Sequence, residues 1–281
     1  MKWMGRRESG NIEDRRKGGG GLAIGGGLAA VIAVVFAVLT GQNPLEFIGM
    51  AQQMGSSSQG TELNTDIKDD PNSHFVAVVL AETEDVWDSV FAAQNLQYEK
   101  PVLTLFSGQV RSGCGAASSS TGPFYCPADS KVYIDLSFYQ ELQNRFGAPG
   151  DFAMAYVIAH EVGHHIQHLL GTTDKIDRMR GKVSDEELNA LSVRLELQAD
   201  YLAGVWAHHT QRKDLLEAGD IEEALKAANA IGDDRLQMQA QGYVVPDAFT
   251  HGTSEQRMRW FRRGYETGDI RSGDTFSASS L

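Results

Sequence analysis

The stretch Asp151–Leu170, DFAMAYVIAHEVGHHIQHLL, contains the run His160-Glu161-Val162-Gly163-His164. Its apolar residues recur at helical spacing, so the stretch is predicted to form one helix. Residues four apart lie on the same face of a helix, which lets His160 and His164 present two imidazole nitrogens to one metal ion. Glu161 follows at about 100° round the helix axis, close enough to accept a proton from a water at that ion. Two ligands and one base on a single turn are typical of a zinc-dependent hydrolase.

A catalytic zinc site needs a third protein ligand and one open position. A histidine six residues after His164 would be one solution, but that position is Leu170. The next long predicted helix offers Glu196-Leu197-Gln198-Ala199-Asp200. Glu196 and Asp200 share a face of that helix, so Glu196 is the candidate third ligand and Asp200 can accept a hydrogen bond from a ligand imidazole.

Spacing alone leaves alternatives to Glu196 open. A glutamate on an apolar helix face is usually paired or metal-bound, and the pair could be a salt bridge with Arg194 or Arg235. Other acids also lie within reach of the motif helix along the sequence, namely Asp174, Asp185, Glu186 and Glu187.

The element pattern predicts an α+β domain that is mostly helical and has a small sheet. The capping box Ser184/Glu187 starts one long helix, and Thr253/Gln256 starts the last one. The predicted helices are 75–94, 151–170, 184–209, 220–232 and 253–265, and the predicted strands are Val102–Phe106 and Val132–Leu136. The second strand is a candidate edge strand for binding an extended chain.

Charge and hydropathy predict a membrane protein with an exported domain. The net charge of −12 argues against a nucleic-acid partner. Residues 1–20 carry a net charge of +3, and Leu22–Leu39 contains no charged residue. Residues 21–40 are therefore predicted to be a transmembrane anchor, with a basic cytoplasmic tail before it and everything after residue 41 in the periplasm or outside the cell. A cleaved signal peptide is the alternative, although no clear cleavage site follows.

The remaining boundaries follow from composition. Residues 41–72 are rich in polar residues and are predicted to be a linker. The ordered domain is predicted to span residues 73–268, and the polar residues 269–281 to form a flexible tail. Cys114 and Cys126 are the two cysteines, and an exported domain favours a disulfide between them over metal ligation or catalysis.

A further histidine, His251, precedes the last predicted helix and is a candidate for stabilising an oxyanion. The alternative is a histidine that takes part only in the helix start. The weaker candidates for the same role are Tyr125, Tyr133 and Tyr201, while His165, His168, His208 and His209 are interpreted as surface or packing residues.

Four segments together resemble the bacterial family of neutral zinc metallopeptidases. They are Gly122-Pro123-Phe124-Tyr125-Cys126-Pro127, the run from His160 to His165, Glu196-Leu197-Gln198-Ala199-Asp200, and the run from His251 to Arg257. The sequence is more distantly similar to gluzincins. The resemblance implies a zincin-like domain, Zn²⁺ ligands His160, His164 and Glu196, Glu161 as base, and Asp200 behind the ligands. It also implies a single-pass membrane protein whose exported domain hydrolyses peptides.

The expected function is therefore that of a membrane-anchored zinc endopeptidase acting on a peptide or protein substrate. The alternative from another class is a membrane-tethered zinc-binding scaffold or envelope-binding protein that performs no catalysis. In such a protein the metal is structural and is closed by four protein ligands. A third hypothesis is a hydrolase of non-peptide amides in the envelope. Glu161, which a structural site does not require, favours the enzyme.

Overall fold

The computed structural model describes residues 1–16 and 70–281 of the chain. As the sequence predicts, the fold is α+β, mostly helical, with a small sheet. The helices in these residues are α1 (Pro71–Ala92), α2 (Ser137–Asn144), α3 (Asp151–Leu169), α4 (Thr172–Asp177), α5 (Asp185–Gln211), α6 (Asp220–Ala230), α7 (Asp233–Gln241) and α8 (Ser254–Thr267). The strands are β1 (Ile12–Asp14), β2 (Val102–Phe106), β3 (Gln109–Ser112), β4 (Gly115–Ser118), β5 (Phe124–Cys126) and β6 (Lys131–Asp135).

Local sequence signals fix where the long helices begin. Asp70 caps α1 by accepting the amide of Asn72 at 3.0 Å. The predicted capping box at the start of α5 is confirmed, since the side chains of Ser184 and Glu187 each accept the other residue's amide. The same reciprocal bonds at the start of α8 confirm the other predicted box.

The main sheet has the strand order β1-β2-β6-β5. Strands β1, β2 and β6 run parallel, and β5 runs antiparallel to β6. The prediction that Val132–Leu136 forms an edge strand is wrong, because β6 lies between β2 and β5, and β1 and β5 are the edge strands. Cys114 and Cys126 form the predicted disulfide, and the segment between them contains β4 and part of β5.

The motif helix α3 lies in the centre of the core, and almost all of its residues are buried. Close helix packing depends on glycine. A Cβ atom on Gly163 would lie 3.0 Å from the carbonyl oxygen of Ala199, so α3 and α5 approach each other there. Cβ atoms on Gly204 and Gly264 would lie 2.0 Å from backbone carbonyls of the opposite helix, which sets the distance between α5 and α8.

The N-terminal residues differ from the predicted tail. Residues 1–14 belong to the same compact unit as the described residues from 70 onward. Strand β1 pairs with β2, and the ammonium group of Met1 lies 2.8 Å from Asp151 at the start of α3. The prediction of a basic tail separate from the domain is therefore wrong for residues 1–14. The domain also begins slightly before residue 73, because α1 begins at Pro71.

The predicted anchor (residues 21–40) and almost all of the predicted linker (41–72) lie outside the described residues. Within residues 1–16 and 70–281, the structure contains no helix with the length and apolar character to cross a membrane.

The C-terminal residues are packed rather than loose, which corrects the predicted flexible tail. Thr275 is fully buried, and its hydroxyl donates to the carbonyl oxygen of Arg194 at 2.5 Å. The guanidinium of Arg194 in turn donates to carbonyl oxygens of Thr275, Phe276 and Ala278. A side chain on α5 therefore holds the tail, which residue composition alone does not reveal.

Candidate metal centre

Two facing helices bring the three predicted ligands together. His160 and His164 lie on α3 and Glu196 lies on α5, and their ligand atoms are all within 4.8 Å of one another. Nε2 of His160 is 3.1 Å from one carboxylate oxygen of Glu196, and Nε2 of His164 is 3.4 Å from the other. The close approach of the two helices at Gly163 makes this convergence possible.

Each ligand histidine is oriented by a partner on its other ring nitrogen. Nδ1 of His160 lies 2.8 Å from Asp200, as the sequence predicts, and Nδ1 of His164 lies 2.9 Å from the side-chain oxygen of Gln167. The amide of Gln167 donates to the carbonyl oxygen of Leu195 on α5 at 2.7 Å, which fixes which end of the amide faces His164. Both imidazoles therefore keep a proton on Nδ1 and direct Nε2 toward Glu196.

Asp200 is fully buried and is the centre of a polar network. Its carboxylate accepts from the hydroxyl of Tyr156 at 2.5 Å and from Arg257 at 2.9 and 3.0 Å. A buried carboxylate is costly unless its oxygens are bonded and its charge is balanced. Arg257, which is 3% exposed, supplies that balance from α8. Three helices are thus connected through one side chain behind the ligands.

The charges at the centre favour a cation. Burial would raise the pKa of Glu196, but His164 and His160 beside it hold that pKa well below its usual range. Burial opposes protonation of His160, yet Asp200 and Glu196 raise its pKa to about 10. Burial likewise works against ionisation of Asp200, while the charges of Arg257 and His160 lower its pKa to about 2. The carboxylates therefore remain ionised and attract positive charge.

The donor set fits a zinc ion. Two imidazole nitrogens and one carboxylate are ligands that zinc accepts in catalytic sites, and hydrogen-bonded partners fix both tautomers. Among the described residues, the group at this centre consists of these three side chains. Three protein ligands are the number found in a catalytic zinc site, which keeps a further coordination position open.

A cleft of about 640 Å³ opens beside the three side chains. Glu161 lines it together with the three ligand residues and is 7% exposed. Strand β5 forms part of the wall through Phe124 and Tyr125. Because β5 is an edge strand, the wall contains backbone groups of the kind that pair with an extended chain.

His251 lies at the same cleft, with its side chain 50% exposed. Its Nδ1 is 3.1 Å from one oxygen of Asp233. The other oxygen of Asp233 accepts the backbone amides of Thr250, His251 and Gly252 at 2.7, 2.6 and 3.1 Å. The hydrogen bond to Asp233 raises the pKa of His251, and the charge of Glu196 adds to that effect. Asp233 therefore favours the protonated imidazole, in which Nε2 is a donor.

The tyrosines considered for the same role are bonded elsewhere. Tyr133 donates to Asp129 at 2.7 Å, and Tyr201 donates to the carbonyl oxygen of Asp269 at 2.5 Å. The hydroxyl of Tyr125 lies 3.0 Å from Nδ1 of His165, whose Nε2 is 2.6 Å from the carbonyl oxygen of Glu99. Burial raises the pKa of Tyr125 to about 12 and lowers that of His165 to about 4, so the tyrosine is the donor.

The other acids considered as third ligand lie outside the cluster around His160. Asp174, Asp185, Glu186 and Glu187 are exposed and are absent from that group of ligand atoms. Arg194 is engaged by the C-terminal residues, so the alternative of a Glu196–Arg194 salt bridge does not hold. The triad His160, His164 and Glu196 is the arrangement that the geometry favours.

Sequence reasoning missed four residues of the site: Tyr156, Gln167, Asp233 and Arg257. Gln167 could have been found, since it follows His164 by one helical turn. Asp233 and Arg257 are distant in sequence from the residues that they hold. Their roles follow from tertiary packing.

Comparison with known proteins agrees with this geometry. The family model described as "Putative neutral zinc metallopeptidase" matches residues 1–276. The chain belongs to this family. The match begins at residue 1, so the family module includes the N-terminal residues that pack on the domain.

Two relatives show how far the likeness extends. The uncharacterized protein YpfJ of Escherichia coli strain K12 is 48% identical over 99% of this chain and 100% of its own length. The uncharacterized protein Rv2575 of Mycobacterium tuberculosis strain H37Rv is 43% identical over 74% of this chain and 73% of its own length. No solved structure matches the chain.

Proposed function

We propose that this protein is a zinc endopeptidase attached to a membrane through residues 21–40. The observation that carries the proposal is the position of Glu161, which lines a cleft beside three convergent ligand atoms instead of completing a closed metal site. His160, His164 and Glu196 would hold the zinc ion. A bound zinc ion supplies Lewis acidity, which acidifies a water and polarises a carbonyl group.

The chain's own residues account for substrate binding and proton transfer. An extended peptide pairs with the backbone of β5 along the cleft wall. Glu161 accepts a proton from the attacking water and passes it to the leaving amine, as a general base and then a general acid. His251, held by Asp233, donates a hydrogen bond from Nε2 to the carbonyl oxygen as negative charge develops there.

The substitution Glu161→Gln tests the proposal. It keeps the size of the side chain but removes its basicity, so hydrolysis of an unfolded protein by the zinc-loaded full chain should fall by about 10²–10⁴-fold. Zinc stoichiometry should stay unchanged, because Glu161 is not a ligand in the proposed site. The matched control is Glu186→Gln, an exposed glutamate in the first turn of α5.

The controls separate the alternatives. A wild-type chain that binds zinc and cleaves no protein substrate would favour the structural-zinc scaffold, or the envelope amide hydrolase if small amides are cleaved. Cleavage by Glu161→Gln at the wild-type rate would contradict the mechanism. Chelation should abolish cleavage by the wild type, and zinc should restore it.

A further inference from the structure

The N-terminal segment Met1–Asp14, called here the arm, is built into the sheet and the α1 surface. The amide of Leu103 in β2 donates to the carbonyl oxygen of Asn11 at 2.9 Å, and Ile12 pairs with Leu103. The amide of Ser9 donates to the carbonyl oxygen of Ala77 in α1 at 2.9 Å. Ile12 is 6% exposed and belongs to the main core. The arm thus contributes both backbone pairing and an apolar side chain to the domain.

A buried carboxylate on α1 binds the arm. Glu84 is 1% exposed. It accepts from the hydroxyl of Ser9 at 2.5 Å, from the side-chain amide of Asn11 at 2.8 Å and from the guanidinium of Arg7 at 3.2 Å. Buried carboxylates require such partners, and here three arm residues provide them. The arm is therefore specifically recognised rather than lying on the surface by chance.

The basic residues of the arm are engaged in ion pairs with the domain. Lys2 lies 2.7 Å from Asp214, Arg6 lies 3.0 Å from Glu82, and Arg7 pairs with Glu84 and Asp85. These charges contributed to the prediction of a cytoplasmic N-terminus. Their pairing within the fold gives them a structural reason to be present, so they are weak evidence about membrane orientation.

We infer that the arm and residues 71–281 occupy the same side of the membrane. Backbone hydrogen bonds of about 2.9 Å cannot form across a hydrocarbon core of about 30 Å. One crossing between residues 14 and 71 would separate β1 from β2. The topology with a cytoplasmic N-terminus and an exported domain would therefore require the arm to leave the sheet, expose Ile12 and release Glu84 from its partners.

Single cysteines in the full chain test the inference. The sequence has two cysteines, and they are joined in the disulfide, so an added thiol provides a distinct signal. Met4 is 83% exposed on the arm, and Met238 is 52% exposed on α7. Met4→Cys and Met238→Cys would be expressed separately and treated with a membrane-impermeant maleimide in spheroplasts. Detergent-treated samples show that both thiols can react.

Equal behaviour supports the inference, whether both thiols react in spheroplasts or both react only after detergent. Reaction of one thiol and protection of the other in spheroplasts would overturn it.

A second measurement tests docking itself. The combined variant Arg7→Met, Ser9→Ala, Asn11→Ala should lower the Tm of the full chain by at least about 5 °C, because Glu84 loses three partners. Met4→Ala is the control and should leave Tm unchanged, and an unchanged Tm in the triple variant would contradict docking.

Discussion

The two ligand histidines are held by chemically different partners. His160 donates to the carboxylate of Asp200, whereas His164 donates to the neutral amide of Gln167. A carboxylate increases the basicity of an imidazole ligand more than an amide does, because it stabilises positive charge on the ring. The Asp200 side of the site is thus charged and depends on Arg257, while the Gln167 side depends on the packing of α3 against α5.

Arg257→Met should weaken both the fold and metal binding. The substitution leaves Asp200 buried without its cation, and breaking a buried pair in this way typically costs about 3–5 kcal/mol of the free energy of unfolding. Zinc affinity should fall by about 10–100-fold, because Asp200 no longer holds His160 as firmly. Denaturant unfolding and competition with a chromogenic chelator measure the two effects. Arg262→Met, on an exposed face of α8, should change neither quantity. Wild-type zinc affinity in Arg257→Met would contradict the role assigned to Arg257.

His251→Ala should lower kcat with little change in KM or zinc affinity. His251 lines the cleft. Among the described residues, its imidazole forms hydrogen bonds with Asp233 and Thr250 and with none of the three ligand side chains. Removing one oxyanion donor typically lowers kcat by about 10²–10³-fold. Steady-state kinetics with a single peptide substrate checks the split, with His209→Ala as a control outside the cleft. A change confined to KM would assign His251 to substrate binding instead.

At the scale of elements, the site depends on how closely three helices pack. Helix α5 carries Glu196 and Asp200, and α8 carries Arg257. The contact between α5 and α8 is the most extensive between any two helices of the described chain, and glycines lie on both sides of it. The distance between these helices therefore determines whether Arg257 reaches Asp200.

Gly264→Ala should destabilise the protein in spite of alanine's better helix propensity. The gain in propensity is about 1 kcal/mol. The added Cβ would lie 2.0 Å from the carbonyl oxygen of Tyr201, so α8 must move away from α5. Overpacking of this kind typically costs about 1–3 kcal/mol in stability, and moving a rigid backbone lies at the upper end. The Tm of thermal unfolding and the zinc affinity should both decrease. Gly10→Ala is the control: no atom lies within 4 Å of the new Cβ, so both quantities should stay unchanged. An unaltered zinc affinity would show that α8 does not position Arg257.

For the whole molecule, local patterns predicted the helical elements better than the sheet. Helix α3 is predicted to span 151–170 and spans Asp151–Leu169, because the helical spacing of its apolar residues is a local signal. The short strand β5 carries no such signal, since Phe124-Tyr125-Cys126 lies in a segment rich in Gly, Ser and Pro. Its antiparallel pairing with β6 forms only in the folded sheet. The sequence therefore does not show that β5 covers β6, and the edge strand is predicted in the wrong segment.

The residues of the candidate site also divide into those that local spacing predicts and those that only the folded structure brings together. The spacing of His160 and His164 placed them on one helical face, and the face shared by Glu196 and Asp200 followed from the same rule. Arg257 and Asp233 could not be derived, because the contacts that give them a role join residues far apart in sequence. The arm is the largest difference, since its charges resemble a cytoplasmic flank and its pairing with β2 depends on the folded sheet.

Chelation should abolish activity and lower Tm while leaving the chain folded. The main core includes apolar residues of α1, α3, α5 and α8 and none of the three ligands, so burial of these residues does not require the metal. Zinc that binds only the folded state adds about 4 kcal/mol to the free energy of unfolding when present at 1,000 times its Kd. Far-ultraviolet circular dichroism at 25 °C should therefore show the same helix content with and without chelator, and zinc should restore Tm. The variant His164→Ala loses one of the three proposed zinc ligands, so its Tm should increase much less when zinc is added. Loss of the helical signal on chelation would instead indicate a metal on which folding itself depends.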